Sequence, residues 1–465
     1  VIAQTSARPM LDGFLARLIY ALLAVWAAAA LAGLANVGAG AAVGGVGLLA
    51  VVWWVVQRAR SAEIKSIDWG LVGIAVMAAT PLVPARLGPT LAGVGWDDLP
   101  LILGVIIGGL SVFRAEGLRA LFPWPSWPLY VYAVWNGLIV LFDRKIPLRS
   151  LPPGLGRWLL VALALATVIA VSRREGKGRV VLAMVLVVGL LEALFGLWAY
   201  VVDWTVRSEI RAVLIGLELW NEYRALYDRT PGRICGTLGV SSNFFGGLML
   251  IPSILAAGWF QRSKDRLARP AFAAACVALV FALVLAYTRA GLIAVVVGAV
   301  MAIILVRKAW FAALLIFAIA LPLFTTPALE RFSEKHDRWS LAEQAWDLIW
   351  DEPDTGLGPN ETQDSQLDPL HPRLVATAHN SFLHAAVETG VAGGVIFLVA
   401  TVLPAAALLR RRGPPPAVIT AVVCAGLFAF GVQAFSNNLF HIPGVAIFYW
   451  LALGAGLGLA APAEE

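Results

Sequence analysis

Three side chains in this sequence can act on a charged leaving group: Arg233, just before "ICGTLGVSSN", Arg289 in "LAYTRAGL", and His379, which opens "HNSFLHAAVETGVAGG". A guanidinium is permanently charged and offers a planar fork of donors suited to phosphate oxygens. An imidazole takes up a proton near neutral pH. Two such arginines and a histidine converging on one cavity would hold a diphosphate and move a proton. Each residue also has a plainer reading. An arginine at the end of an apolar run anchors to headgroups, one in a loop is an ordinary solvated charge, and a histidine beside an Asn or Ser is a helix-start residue. His384 and Glu388 lie one helical turn apart on one face, either as a hydrogen-bonded pair or as two metal ligands. No further Cys or carboxylate arrives at ligand spacing, which favours the pair and a site with no metal and no cofactor.

The elements that must position these residues are membrane helices. Of 465 residues, 60% are hydrophobic and 14% charged, more apolar surface than a soluble core of this length buries. The apolar runs lack period-2 alternation, and a backbone in lipid must pair within its own segment, so the expected fold class is all-α, a polytopic helical bundle rather than a barrel. Cys235, Cys276 and Cys424 are too scattered for a disulfide framework or a zinc site. The net charge of +6 comes from short basic clusters between apolar runs, which reads as topology and excludes a nucleic-acid partner.

About fourteen spans are expected. They lie near residues 14–36, 41–56, 68–83, 99–113, 128–142, 157–172, 179–202, 243–260, 270–287, 290–306, 309–324, 380–409, 417–435 and 443–460, the first read as an uncleaved span. With both termini cytoplasmic, the clusters at Arg58/Arg60/Lys65, Arg114/Arg119, Arg173/Arg174/Lys177/Arg179, Arg262/Lys264/Arg266/Arg269, Arg307/Lys308 and Arg410–Arg412 all fall inside. The connection with Arg144, Lys145 and Arg149 is basic yet falls outside, so either a span within 120–157 is miscounted or those charges meet something anionic.

Two long loops, 203–242 and 325–379, fall on the outer side, where long connections are functional more often than not. The first alternates apolar and charged residues at helical spacing, which predicts amphipathic helices on the membrane surface. In the second, "RWSLAEQAWDLIWDEPDTGLGPN" predicts a helix with Trp339, Ala342, Ala345, Trp346 and Ile349 on its apolar side, stopped by Pro353 and a Gly-rich turn. Both loops are expected to pack over the bundle.

In chain order, Arg233 with "GTLGVSSN", then "TRAGL", the Trp-rich helix with Pro353, Gly356 and Gly358, and His379–Asn380 with Glu388 and Gly390 resemble the O-antigen ligase and O-antigen polymerase superfamily of bacterial envelope glycosyltransferases. The resemblance covers roughly residues 180–450 and divides the chain into N-terminal transmembrane helices, 1–180, and a ligase/polymerase-like region, 181–460. It implies a bundle of about 12–14 transmembrane helices with a GT-C-like architecture in the bacterial inner membrane, its active site facing the periplasm. It further implies inverting, metal-independent transfer of a glycan from undecaprenyl pyrophosphate to a sugar hydroxyl. The acceptor is the lipid A core for a ligase, which is favoured here, or another lipid-linked repeat unit for a polymerase. By position, Arg233 and Arg289 would bind the pyrophosphate and His379 would be the general base, with Asn380, Glu388, Arg338, Asn243 and Tyr287 supporting them. A metal-dependent oligosaccharyltransferase would place carboxylates in the first external loop, where "VGAG" offers none; Glu352 and Asp354 of "EPD" flank a helix stop instead. A polyprenyl-glycan transporter would show charged or broken helices at the midplane and internal repeats. Here the polar residues sit at one boundary.

Overall fold

The computed structural model describes residues 3–35, 37–61, 68–83, 98–174, 177–216, 234, 242–306, 338–359, 379–410 and 418–460. These form fourteen α-helices and no strands. In chain order they are α1 (Ala3–Ala35), α2 (Val37–Ser61), α3 (Trp69–Ala78), α4 (Leu99–Glu116), α5 (Trp127–Phe142), α6 (Arg157–Arg173), α7 (Lys177–Gly216), α8 (Ser242–Arg262), α9 (Ala268–Leu285), α10 (Arg289–Val306), α11 (Arg338–Asp351), α12 (Ser381–Arg410), α13 (Val418–Ala434) and α14 (Pro443–Leu459). Among the described residues, eight helices are long and apolar enough to cross a membrane, and further apolar helices are shorter. The protein is an all-α, polytopic membrane protein.

Every expected span falls on a helix except 309–324, which lies outside the described residues. One boundary differs. The helix expected to end at 202 continues to Gly216, so residues 203–216 extend α7 and do not start a separate surface helix. The stretch "VVDWTVRSEIRAVLI" contains neither Gly nor Pro, so nothing in it stops a helix already under way.

Among the described residues, one large apolar core runs from Leu15 to Leu457 and joins the first helices to the last, beside two small satellite clusters. Where backbones cross closely, small residues make room, as between α3 and α4: a Cβ on Gly73 would come within 2.4 Å of the Gly108 nitrogen. The two ends of the bundle differ in chemistry. One carries the basic residues expected inside, where Arg174 pairs with Glu116 (2.8 Å) and Lys177 pairs with Asp68, the N-cap of α3. At the opposite end lie the starts of α6, α8, α10, α12 and α14 and the ends of α5, α9 and α13, and the candidate site is built there.

Candidate functional site

The loop helix and the span that follows it interlock through their backbones. Gly390 lies inside α12 at φ 72, a left-handed conformation that breaks the helical ladder and frees carbonyls in the turn before it. Each of those carbonyls has a partner. Leu357 N–H donates to Val387 O (2.9 Å), Gly358 N–H to Glu388 O (3.0 Å), Trp135 Nε1–H to Thr389 O (3.1 Å) and the Thr389 hydroxyl to Ala385 O. In return Val391 N–H donates to Pro353 O (2.9 Å). The approach is too close for side chains, since a Cβ on Gly356 would lie 2.5 Å from Val387 O and one on Gly390 2.6 Å from Pro353 O. The "EPDTGLGP" turn and the "VETGV" stretch are thus two halves of one joint.

Above this joint, α11 buries Ala345 and Ile349 against Val387, with Leu348 packed beside them. Trp346 does not share that face; it and Trp350 are exposed and form an edge-on pair at 5.8 Å. Residue 346 lies about 100° around the helix from Ala345, which turns its ring away from the stripe that Ala345 and Ile349 form. The basic connection that fell on the unexpected side meets an anionic partner in this same loop. Lys145 Nζ lies 2.9 Å from Glu352 Oε1, and the Thr355 hydroxyl donates to Asp143 (2.8 Å). The Lys145 amide and the Thr355 hydroxyl, both donating to Asp143, hold its carboxyl below the usual range.

The expected site residues fall into two groups at this end. In the first, Asn380 caps α12, its Oδ1 accepting from Phe382 N–H (2.9 Å) and Leu383 N–H (3.1 Å). His379 stands just before the cap, half-buried, at φ 44. The second group gathers where α9 turns into α10. Arg289 is the first residue of α10 and half-buried, and Tyr287, two residues before it, is buried and sits at φ 49. Buried Thr288 packs so closely on α8 that a Cβ on Gly246 would lie 2.6 Å from its hydroxyl oxygen. Asn243, in the first turn of α8, accepts at its carbonyl from Gln433 Nε2 at the end of α13 (2.8 Å). The groups are joined through the α13–α14 connection, where the Ser381 hydroxyl donates to Asn437 O (2.9 Å) and Ser436 N–H to Gln433 O. Arg233 lies outside the described residues. Its neighbour Ile234 is buried and donates its N–H to Leu285 O (3.3 Å), at the α9 end that leads to Arg289. Arg338 opens α11.

Beneath the first group is a buried polar cluster. His384 Nε2 lies 3.2 Å from Glu388 Oε1, the pair expected from the one-turn spacing. A third residue joins it from the short turn before α14: His441 Nε2 lies 3.9 Å from Glu388 Oε2, with its ring edge-on to His384 at 4.3 Å. Asn438 places its side-chain amide 3.3 Å from His384 Nδ1. Burial, then the adjoining His384 and Arg157, push the His441 pKa well down against the opposing pull of Glu388, so the ring stays neutral. These three residues and Arg157, Trp158, Pro153 and Pro359 line one pocket, and Arg157 at the start of α6 faces Asp98 at 3.6 Å. Sequence reasoning missed His441 and Arg157. The available signals were a histidine two residues before a helix-starting proline and a charge at the first position of an apolar run.

The fold and this polar end define a multi-pass helical membrane protein with arginine, histidine and carboxylate side chains gathered at one boundary of the bundle. Residues 274–398 match the family model described as O-antigen ligase, which supports the resemblance to that superfamily over this stretch. The matched stretch contains Arg289, the α11 joint, His379, Asn380, His384 and Glu388, and it ends before His441. No curated protein matches the chain. The match supports a function of the glycosyltransferase-like ligase or polymerase kind.

Proposed function

We propose that the protein is an O-antigen ligase, transferring a glycan from undecaprenyl pyrophosphate to a sugar hydroxyl of the lipid A core at the periplasmic face of the bacterial inner membrane. The observation that carries this reading is the family match over 274–398, which takes in both the α9–α10 turn with Arg289 and the strained start of α12 with His379. The basic clusters at the opposite end of the bundle support the periplasmic orientation.

Breaking the sugar–pyrophosphate bond develops negative charge on the leaving diphosphate, and fixed guanidinium groups at a poorly solvated boundary stabilise that charge as it grows. Arg289 and Arg233 have this role. The attacking hydroxyl gives its proton to His379, which a left-handed backbone holds at the mouth of α12. Direct in-line attack inverts the anomeric centre. The two arginines supply at the diphosphate the positive charge that Mg²⁺ or Mn²⁺ supplies in other transferases, so the transfer itself is metal-independent. Asn380 positions His379 by capping the helix behind it, and Glu388 acts on the same turn through the joint with α11.

The choice of ligase over polymerase rests on the His379–Asn380 pair and the Trp-rich loop helix. The test is to supply the purified protein with an undecaprenyl-pyrophosphate glycan and either lipid A core or more donor. Glycan should move to the core. A ladder growing on the donor alone would make the protein a polymerase.

A further inference from the structure

We propose that His384, Glu388 and His441 form a binding site for one transition-metal ion of the zinc class, separate from the diphosphate chemistry and holding the α13–α14 connection to the start of α12. The inference does not depend on the glycosyl-transfer reading.

Donor set, spacing and surroundings each support it. Two imidazoles and one carboxylate make up a borderline-soft, three-ligand zinc set, and two ligands one turn apart on a helix with a third from another element is a recurrent way to build one. Their ligand atoms all lie within 4.8 Å of one another. Tetrahedral zinc with ligands at about 2.0–2.2 Å separates neighbouring ligand atoms by about 3.3–3.6 Å. The observed spacings, 3.2 Å from His384 Nε2 to Glu388 Oε1 and 3.9 Å from His441 Nε2 to Glu388 Oε2, place one imidazole near each carboxylate oxygen at distances close to that edge. A hydrogen-bonded His–Glu pair explains the first distance and leaves His441 unexplained. Its side chain is nine-tenths buried, and neither ring nitrogen has a protein hydrogen-bond partner among the described residues. A buried imidazole left so is costly unless something in the pocket takes up its lone pair.

The surroundings supply what a metal ligand needs behind it. Asn438 sits against His384 Nδ1, and with its amide oxygen turned to that position it accepts Nδ1–H and leaves the Nε2 lone pair directed at Glu388. Its Oδ1 has no other partner among the described residues. Trp158 and Phe397 pack around His441 and fix its ring. Arg157 on the opposite wall opposes a cation, and Asp98 beside it offsets that charge. The site would add to the contact between α12 and the turn before α14, which also includes Ser381, the Asn438–His384 approach and the packing of Phe382 and Phe397 on Phe440 and His441.

The test uses the full-length protein in detergent, with metal content, the Co²⁺ absorption spectrum and the thermal midpoint as readouts. After stripping with a strong chelator, titration with Zn²⁺ should bind a single equivalent and raise the midpoint, whereas Mg²⁺, which prefers six oxygen ligands, should do neither. Co²⁺ should give the intense visible bands of a four- or five-coordinate site. Glu388→Gln and His441→Asn should each abolish those bands, and His379→Ala should keep them. Should the variants fail to fold, the wild-type titration alone decides. Folded protein that binds neither Zn²⁺ nor Co²⁺, or variants that bind them as the wild type does, would overturn the site and leave the pocket to water. Failure of glycan transfer would leave these readouts unchanged, so the two proposals fail separately.

Discussion

His379 and His384 stand five residues apart in one motif and occupy opposite kinds of environment. His379 precedes the helix cap, half-buried, with its backbone in a left-handed conformation that a residue with a Cβ rarely adopts. His384 is inside the helix, buried, beside Glu388 on one side and Asn438 on the other. Strain with partial exposure is the signature of a group held out for a reaction, and burial with partners on both sides that of a group holding structure. Arg289, half-buried after the other positive-φ residue, Tyr287, stands in the same contrast to buried Glu388. Residue type alone would rank these histidines equally; backbone and burial favour the proposed reactive role for His379 and a structural one for His384.

The largest expected effect is on turnover. His379→Ala should lower transfer by a factor on the order of 10²–10⁴, the usual worth of a general base, with the thermal midpoint nearly unchanged. His384→Ala should show the reverse, a lower midpoint with transfer per folded molecule retained. Equal loss of stability in both variants would erase the distinction.

Next comes the joint. Gly390→Ala places a Cβ 2.6 Å from Pro353 O at a φ of 72, so the α11 turn must detach from α12. That positive-φ, extended backbone (ψ 179), essentially reserved for glycine, alone costs roughly 1–3 kcal/mol for a residue with a Cβ. Limited proteolysis should find residues 352–358 newly accessible, and a cleavage pattern unchanged from the wild type would show that the joint does not hold the loop.

A smaller loss is expected at the cap. Asn380→Ala removes the acceptor for two helix-start N–H groups and should cost about 0.5–2 kcal/mol of stability, while Asn380→Asp restores most of it. Because His379 rides on that cap, the alanine variant should also lose turnover; a drop in stability with full activity would uncouple them. The smallest effect belongs to Lys145→Ala. Its pair with Glu352 is exposed, so hydrogen exchange in the α11 turn should quicken only at low salt, and an effect that persists at high salt would imply a buried contact.

The sequence showed some of this clearly. Runs of apolar residues marked the helices because lipid permits few other structures. The "RWSLAEQAWDLIW" helix ended at its proline as expected, and Asn380 read as a cap from its place before an apolar run. What was hidden depended on partners distant in the chain. Gly356 and Gly390 read separately as turn glycines; only folding shows that a side chain on either would run into the backbone of the other's turn. The third member of the His384–Glu388 cluster comes from beyond α13, so ligand spacing along the chain could not reveal it. The outward turn of Trp346 follows from which neighbouring stripe α12 covers, which periodicity within α11 does not determine.

Binding of a polyprenyl pyrophosphate, measured beside glycan transfer on the same folded variants, separates the roles most directly. His379→Ala should lose transfer and keep the pyrophosphate at nearly wild-type affinity. Arg289→Ala should weaken that binding by about 1.5–3 kcal/mol, with Arg289→Lys recovering only part, because an ammonium keeps the charge and loses the fork. If His379→Ala releases the pyrophosphate as readily as Arg289→Ala does, the histidine is a ligand of the donor and not the base.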